Sequence, residues 1–525
     1  MTKYLMNRIL RALLSVILVV AVVMVMVYAF LDRESVFASD PNYPKMLNNK
    51  RQTYMMQQWE KFGYLDYVPY TDFLIEEVKA GNITRDEMTA AATIGATAET
   101  DSDVTAKMVA AFTEKYDSMG YKVERLPGLI KIGTVKYKEG GDPYLFAYKD
   151  VPLTQRLVRY FTGLIQVDNI HNVDEIVGER GLTFTWRDPA YGGKKFSPAI
   201  MGNGTTHKYL LYFDNSFPYI HQNLVTINLG ISFSVNNGID VFSTMTDAQG
   251  PQKKTLNTYP SGVVETTADD LHSLVHVPGS LQSGGDLVKN YYVDDYTGVT
   301  TAKSGMSQMG YSFSIGILSV IMAYLLAVPL GITMALNKDK LVDKLGTLYI
   351  IFIMAVPSLG YIFIFRAIGS TMKLPTTFNV QTPTWLMYIL PVVSLALPSI
   401  ANLMKWLRRY MIDQMNADYV KFARSGGLSE TQIFTKHVLK NAIIPIVHGV
   451  PASVLGALTG AIITERVYMV PGIGNVLTTA INKYDNGVIV GVTLFYALLS
   501  VTSFILGDVL MSMMDPRISF TAKQR

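Results

Sequence analysis

Apolar runs without a single charge dominate the two ends of this sequence. They are Ala12–Leu31, Tyr311–Leu336, Leu345–Phe365, Leu374–Met404, Asn441–Thr464 and Asn486–Gly507. Each reaches the roughly 20 residues that a helix rising about 1.5 Å per residue needs to cross a bilayer core of about 30 Å. The pattern predicts six spanning helices. The first run is longer than the roughly 7 to 15 residues of a signal-peptide core. Although Val36-Phe37-Ala38 loosely resembles a cleavage site, the first helix is expected to stay as an anchor.

Between the first and second runs the periodicity changes. Ser102–Met119 sets Val104, Met108, Phe112 and Tyr116 at i+4 spacing and is followed by Gly120, which predicts a helix. HKYLLYF (His207–Phe213) and LVTINLGISFSV (Leu224–Val235) are rich in β-branched and aromatic residues and predict strands. Pro152–Val167 puts Leu153, Leu157, Phe161 and Leu164 on one side of a helix with Arg156 and Arg159 elsewhere. That helix suits either the outer membrane face or a domain core. Asn236–Lys254 and Ser280–Ser304 are polar enough for loops. The segment 32–309 therefore reads as a folded α+β domain. The chain has no cysteine, so apolar burial must hold this domain without disulfides.

Composition agrees: 525 residues that are 49% hydrophobic and 17% charged are too apolar for an ordinary soluble protein and too long for one domain. Charge then sets direction. Lys3, Arg8 and Arg11 precede the first run; Lys338, Lys340 and Lys344 follow the second; Lys405, Arg408, Arg409, Lys421, Arg424, Lys436 and Lys440 lie between the fourth and fifth; Arg517, Lys523 and Arg525 follow the sixth. With six spans all four groups fall on one face, which the positive-inside rule makes the cytoplasm. The expected organisation is 1–31 as cytoplasmic N-terminus and first span, 32–309 as an extracellular insert, and 310–525 as a core carrying five spans and a cytoplasmic loop over 406–442. Both termini are expected on the cytoplasmic side of the cell membrane.

No phosphate-binding loop, H-E-x-x-H or G-x-S-x-G occurs, so the familiar nucleotide and hydrolase signatures are absent. His272 and His276, four apart behind Asp269 and Asp270, suit one helical face, but with no third ligand a surface turn is the better reading than a metal site. The basic loops need no nucleic acid to explain them. The spans hold essentially no ionisable group except near His448 and Asp508, which disfavours an ion-coupled transporter. The energy source should be a partner.

The stretch DYVKFARSGGLSETQIFTKHVLKN, Asp418 to Asn441, is where such a partner would bind. A helix from about Met411 to Ser425, a turn at Gly426-Gly427 and a second helix opened by the Ser429-Glu430-Thr431-Gln432 capping box make a compact pair, with Tyr419, Phe422, Ile433 and Phe434 as apolar groups for a protein groove.

These residues resemble the cytoplasmic loop of ABC importer permeases. The E-A-A-x-x-x-G pattern falls on Lys421, Phe422, Ala423 and Gly427; Lys421 and Phe422 depart from it, and Lys440 stands where the general motif has proline. Ala423-Arg424-Ser425-Gly426-Gly427-Leu428, with Lys436-His437-Val438-Leu439-Lys440-Asn441-Ala442 and Pro445, is similar to the oligopeptide and nickel branch. Glu465-Arg466-Val467-Tyr468 with Pro471-Gly472-Ile473-Gly474 resembles that branch's outer turn, and Asp508 with Asp515-Pro516-Arg517 resembles its ending. Val328-Pro329-Leu330-Gly331 and Gln155 to Asp168 agree. The insert, including HKYLLYF…FPYIHQNLVTINLG, is most similar to Ami/Opp-type oligopeptide permeases of Gram-positive bacteria, as the first permease of the pair.

The resemblance implies a type I ABC importer permease fold with six transmembrane helices, no catalytic residue, and no cofactor in this chain, ATP and Mg belonging to partner subunits. It implies a second homologous permease, two cytoplasmic ATPases, an extracellular lipid-anchored peptide-binding protein and an oligopeptide substrate. Tyr419, Phe422, Ala423, Arg424, Gly426, Gly427, Leu428, Ile433, Phe434 and His437 would couple to the ATPases. Glu465, Pro471, Gly472 and Gly474 would form an outer turn or gate, and Asp508, Asp515, Pro516 and Arg517 would be structural. The insert would be a docking platform or a cap. The prolines of the spans would allow kinks, and Gly456 with Gly460 a close helix contact. The rival classes, a membrane-anchored extracellular sensor or a self-sufficient secondary transporter, leave Asp418–Asn441 without a role.

Overall fold

A computed structural model describes residues 2–46, 49–132, 136–139, 142–214, 219–235 and 238–514. Helix α1 (Thr2–Phe30) carries no charge from Ala12 onward and runs into the insert.

The insert has two lobes. In the first, α2 (Asn49–Lys61), β1 (Leu65–Pro69), α3 (Tyr70–Lys79), α4 (Asp103–Ser118), β2 (Lys122–Leu126) and β3 (Tyr144–Asp150) build an antiparallel sheet of order β1-β3-β2 with helices against it. The two-residue side-chain period of β3 divides the core. Phe146 points into a cluster with Trp59 and Tyr67, whereas Leu145 and Ala147 point to Phe73, Phe112 and Tyr116. Ser102 caps α4 by accepting a hydrogen bond from Thr105 N–H, and Gly120 turns the chain beyond it with φ +76°.

Helix α5 (Leu153–Thr162) and strand β4 (Ile165–Val167) lead to the second lobe. There β5 (Gly181–Thr185), β6 (Ala199–Asn203), β7 (Tyr209–Phe213) and β8 (Ile220–Gln222) form a sheet of order β8-β7-β6-β5. Strand β9 (Val225–Ile227) returns to pair with β4, and β10 (Asp269–His276) pairs with β11 (Tyr296–Thr301). The α+β expectation agrees with these elements, with corrections. Only Val225–Ile227 of the run Leu224–Val235 is a strand. The segments expected as loops contain the helices Val241–Thr246, Ser280–Ser283 and Asp286–Tyr291 and the whole of β11. His272 and His276 lie on a strand rather than a helical face, and no group of metal-ligand type occurs among the described residues.

The core follows: α6 (Gln308–Leu336), α7 (Leu341–Ala355), α8 (Ser358–Thr371), α9 (Ile389–Met415), α10 (Asp418–Ser425), α11 (Glu430–Ile433), α12 (Lys440–His448), α13 (Val450–Tyr468), α14 (Ile473–Asn482) and α15 (Asn486–Met514). Five described helices are long and apolar enough to cross a membrane, and six if α7 and α8 count as one. That pair is bent by 109°, because Pro357 forces Val356 into extended backbone and offers no amide of its own. The third run is thus a broken element. The fourth helical span begins at Trp385, not Leu374, and the fifth run divides at Gly449 into α12 and α13.

The glycines of α6 set the bundle's spacing. A Cβ on Gly316 would lie 3.0 Å from Leu458, and one on Gly331 3.3 Å from Leu407. The G-x-x-x-G expectation differs: a Cβ on Gly456 would meet nothing within 4 Å, since that residue faces a groove.

Candidate functional site

The loop from Asp418 to Asn441 forms the expected helical pair. Helix α9 ends at Met415 and α10 starts afresh after Ala417. Gly427 adopts φ +80°, a left-handed turn open to glycine at little cost. The capping box is complete: Ser429 Oγ accepts from Gln432 N–H at 3.3 Å and Gln432 Oε1 accepts from Ser429 N–H at 3.1 Å. Beyond α11 the chain takes a π-helical turn over Phe434–Leu439, which contains His437.

The pair is sided. Val420 and Ile433 are buried among Met411, Leu407 and Val438, with Tyr419, Ala423 and Phe434 packed around them. Tyr419 also donates to Gln414 Oε1 at 2.6 Å. Phe422 and Leu428 face outward, 76% and 39% exposed. Expecting both Phe422 and Ile433 on a docking face was therefore wrong for Ile433: the helical phase that points Phe422 out turns Val420 inward, and Ile433 closes over it. The turn is braced by a two-pronged pair, Arg424 Nε to Glu430 Oε1 at 2.6 Å and Nη2 to Oε2 at 3.0 Å. That guanidinium holds the Glu430 carboxyl below the usual range, and the carboxylate holds Arg424 above its own.

At the other end of the bundle, Glu465 is wholly buried. Its carboxylate accepts from Ser312 Oγ at 2.6 Å and Asn475 N–H at 3.1 Å, while Ser312 Oγ accepts from Ile473 N–H at 2.9 Å. The Asn475 and Ile473 amides belong to the first turn of α14, so Glu465 and Ser312 of α6 together cap that helix. Gly472 and Gly474 are glycines because this carboxylate lies against them: a Cβ on Gly472 would overlap it, and one on Gly474 would sit 2.9 Å from Oε2 and 2.7 Å from Ile462 Cα. Pro471 precedes the turn, which carries no positive φ at Gly472. Asp508 pairs with Arg8 of α1 and lies 3.8 Å from His448 Nε2. Asp515, Pro516 and Arg517 lie outside the described residues.

Between these ends runs a groove of about 620 Å³ bounded by α6, α9, α12 and α13. Tyr324, Ser399, Asn402 and Ser453 line it beside Pro398, Pro445, Gly449 and Gly456, and Tyr324 OH lies 3.1 Å from Ser453 Oγ. Asn402 is exposed at the middle of α9. An amide facing hydrocarbon there is costly, so this side of the bundle faces water or protein.

Two further contacts have no signature in the local sequence pattern. Arg408 grips the buried Asp343 through Nε to Oδ1 at 2.5 Å and Nη2 to Oδ2 at 2.7 Å, tying α9 to α7. Asp485 receives a loop of the insert. Its only local signal is a position just before α15, suitable for a cap.

Along the whole chain, over 530 aligned residues and 99% of the relative, the sequence is 33% identical to the oligopeptide transport system permease protein AmiC of Streptococcus pneumoniae. The chain belongs to the binding-protein-dependent permease family. Residues 327–520 match that family's description, "Binding-protein-dependent transport system inner membrane component". The dipeptide transport system permease protein DppB of Bacillus subtilis is 27% identical over 213 residues, which cover 40% of this permease and 68% of that one. The insert thus lies inside the alignment with AmiC, which spans the whole chain. Among solved structures, an amino acid ABC transporter aligns at 16% identity over 40% of this permease and 92% of that chain, with a TM-score of 0.31. The MetNI methionine ABC transporter aligns at 10% over 39% and 93%, with a TM-score of 0.32. The family assignment rests on the sequence relatives.

Proposed function

We propose that this permease is the membrane subunit of an ATP-driven oligopeptide importer and forms half of the peptide pathway. It performs no catalysis itself; ATP and Mg act on two cytoplasmic ATPase partners. A second permease closes the groove at Asn402 and Gly456, and a lipid-anchored peptide-binding protein delivers substrate outside. Six spans, counting α7 and α8 as one, leave both termini and the 418–433 pair in the cytoplasm and the insert outside.

The observation that carries this reading is the braced helical pair with Phe422 and Leu428 turned outward. Apolar groups on a polar, basic segment between spans have no lipid to meet, and a groove on an ATPase supplies their burial. The groove suits a peptide chain: its lining hydroxyls and the Asn402 amide match backbone amides without selecting side-chain charge. Glu465 with Pro471, Gly472 and Gly474 forms the outer turn, and Asp508 with Arg8 fixes α15 against α1.

The test is purification of the intact permease from membranes beside Gly427→Trp, with mass spectrometry of the proteins retained. ATPase subunits accompanying the native chain and depleted from the variant are expected. Their absence from both would overturn the importer reading in favour of a membrane-anchored sensor.

A further inference from the structure

The joint between insert and bundle is built around one carboxylate. Asp485 is fully buried between α14 and α15. Its Oδ2 accepts from Ser232 Oγ at 2.8 Å and from the amides of Phe233, Ser234 and Val235 at 2.9 Å each. Three successive amides and a hydroxyl converging on one oxygen form an anion-binding nest, here filled by a side chain from more than 240 residues away in sequence. Oδ1 turns the other way, to Val488 N–H in the first turn of α15 at 3.4 Å.

The surroundings fix the same joint. Ser234 Oγ donates to Lys483 O at 3.2 Å, and Asn486 Nδ2 donates to Tyr64 OH of the first lobe at 2.5 Å. A Cβ on Gly487 would collide with the Ile231 carbonyl, and one on Gly491 would lie 2.8 Å from Val241. Leu229, Val241 and Met245 of the insert share one apolar cluster with Ile473, Val476 and Ala480 of α14 and Val488 and Val492 of α15. Both lobes therefore grip the segment that joins α14 to α15.

We propose that Asp485 is a positioning residue for transport: it locks the insert to α14 and α15, so that a load applied to the insert by a docked peptide-binding protein reaches the bundle. The proposal rests on the importer reading. A charged acceptor is required because an asparagine in either rotamer leaves its NH2 facing amide donors, the nest in one and Val488 in the other.

The test uses the complete transporter in lipid nanodiscs: this permease, its partner permease, both ATPases and the peptide-loaded binding protein. Asp485→Asn is expected to leave assembly and basal ATP hydrolysis within twofold and to lower the stimulation by loaded binding protein at least tenfold. A second variant, Ser232→Cys with Asp485→Cys, is bridged by a short bis-methanethiosulfonate linker, the only such bridge this cysteine-free chain can form. Stimulation should be low in the unbridged form, recover on bridging and fall again on reduction. Full stimulation of Asp485→Asn, or no recovery on bridging, overturns the proposal. If the native complex itself shows neither stimulated hydrolysis nor peptide uptake, the importer reading has failed instead.

Discussion

The contact of Glu465 with Gly472 lends itself to a double-mutant cycle. In Gly472→Ala the new methyl overlaps the Glu465 carboxylate, which is held by Ser312 and Asn475 and cannot swing aside without breaking both bonds. Overpacking of this kind costs about 1–3 kcal/mol. In Glu465→Ala the methyl clash is absent, but the Asn475 amide loses its buried acceptor and the Ser312 hydroxyl its charged one. At about 1–3 kcal/mol for each abandoned group, the two together cost roughly 2–6 kcal/mol.

In the double variant the alanine at 465 vacates the space the alanine at 472 needs. It should therefore cost little more than Glu465→Ala alone, a coupling of about 1–3 kcal/mol in favour of the pair. Equilibrium unfolding of the purified permease in mixed micelles measures all four corners of the cycle. Additivity within about 0.5 kcal/mol would refute the argument that glycine stands at 472 because the carboxylate fills the site of its side chain.

Three further outcomes are expected. Phe422→Ala should leave unfolding within about 0.5 kcal/mol of native yet reduce ATPase retention on purification, whereas Ile433→Ala, emptying a buried site, should destabilise by about 2–5 kcal/mol. The Arg424–Glu430 brace should resist acid: the folded carboxyl titrates below its unfolded value, so the contribution is complete above the ordinary glutamate range and is lost only as pH falls through the depressed folded value. ATPase retention should accordingly be level from pH 7 to 5, and a loss beginning near pH 6 would contradict this. Arg408→Ala should destabilise by about 3–5 kcal/mol by leaving Asp343 buried without its partner, and Arg408→Lys should recover only part of it because the bridge is two-pronged; the same unfolding assay reads both.

Much of the bundle is legible in the sequence because absence of charge and helical burial coincide in most spans. They part at Leu374–Thr384, where Pro375, Asn379 and Pro383 keep an uncharged segment out of helix, and at Pro357, where one residue turns a span into an angled pair. The helical pair at 418–433 is legible through Gly427 and the Ser429 box, both local signals. The division of labour between Phe422 and Ile433 is not, because it depends on how α10 is set against Met411 and Leu407. Leu224–Val235 shows the same limit more sharply. Its β-branched residues suit a strand, but at its end the Phe233, Ser234 and Val235 amides are drawn to Asp485, an acceptor no local pattern can announce.

These contacts form a continuous mechanical path. Helix α14 is held at its start by Glu465 of α13 and Ser312 of α6, and the segment just beyond its end is held by the insert through Asp485 and Lys483. Ten residues of helix, about 15 Å, thus separate the insert's grip from the two helices that supply Tyr324, Ser453 and Gly456 to the groove. Neither end can slip independently, since each terminates in a buried carboxylate whose hydrogen bonds would be abandoned without water to replace them. Helix α9 extends the path from Asn402 in the groove to Leu407 and Met411, which pack on Val420 and Ile433 of the outward-facing pair. On the proposed importer reading, this path of packed elements joins the surface at Phe422, where the ATPase partners would dock, to the surface of the insert, where the peptide-binding protein would sit.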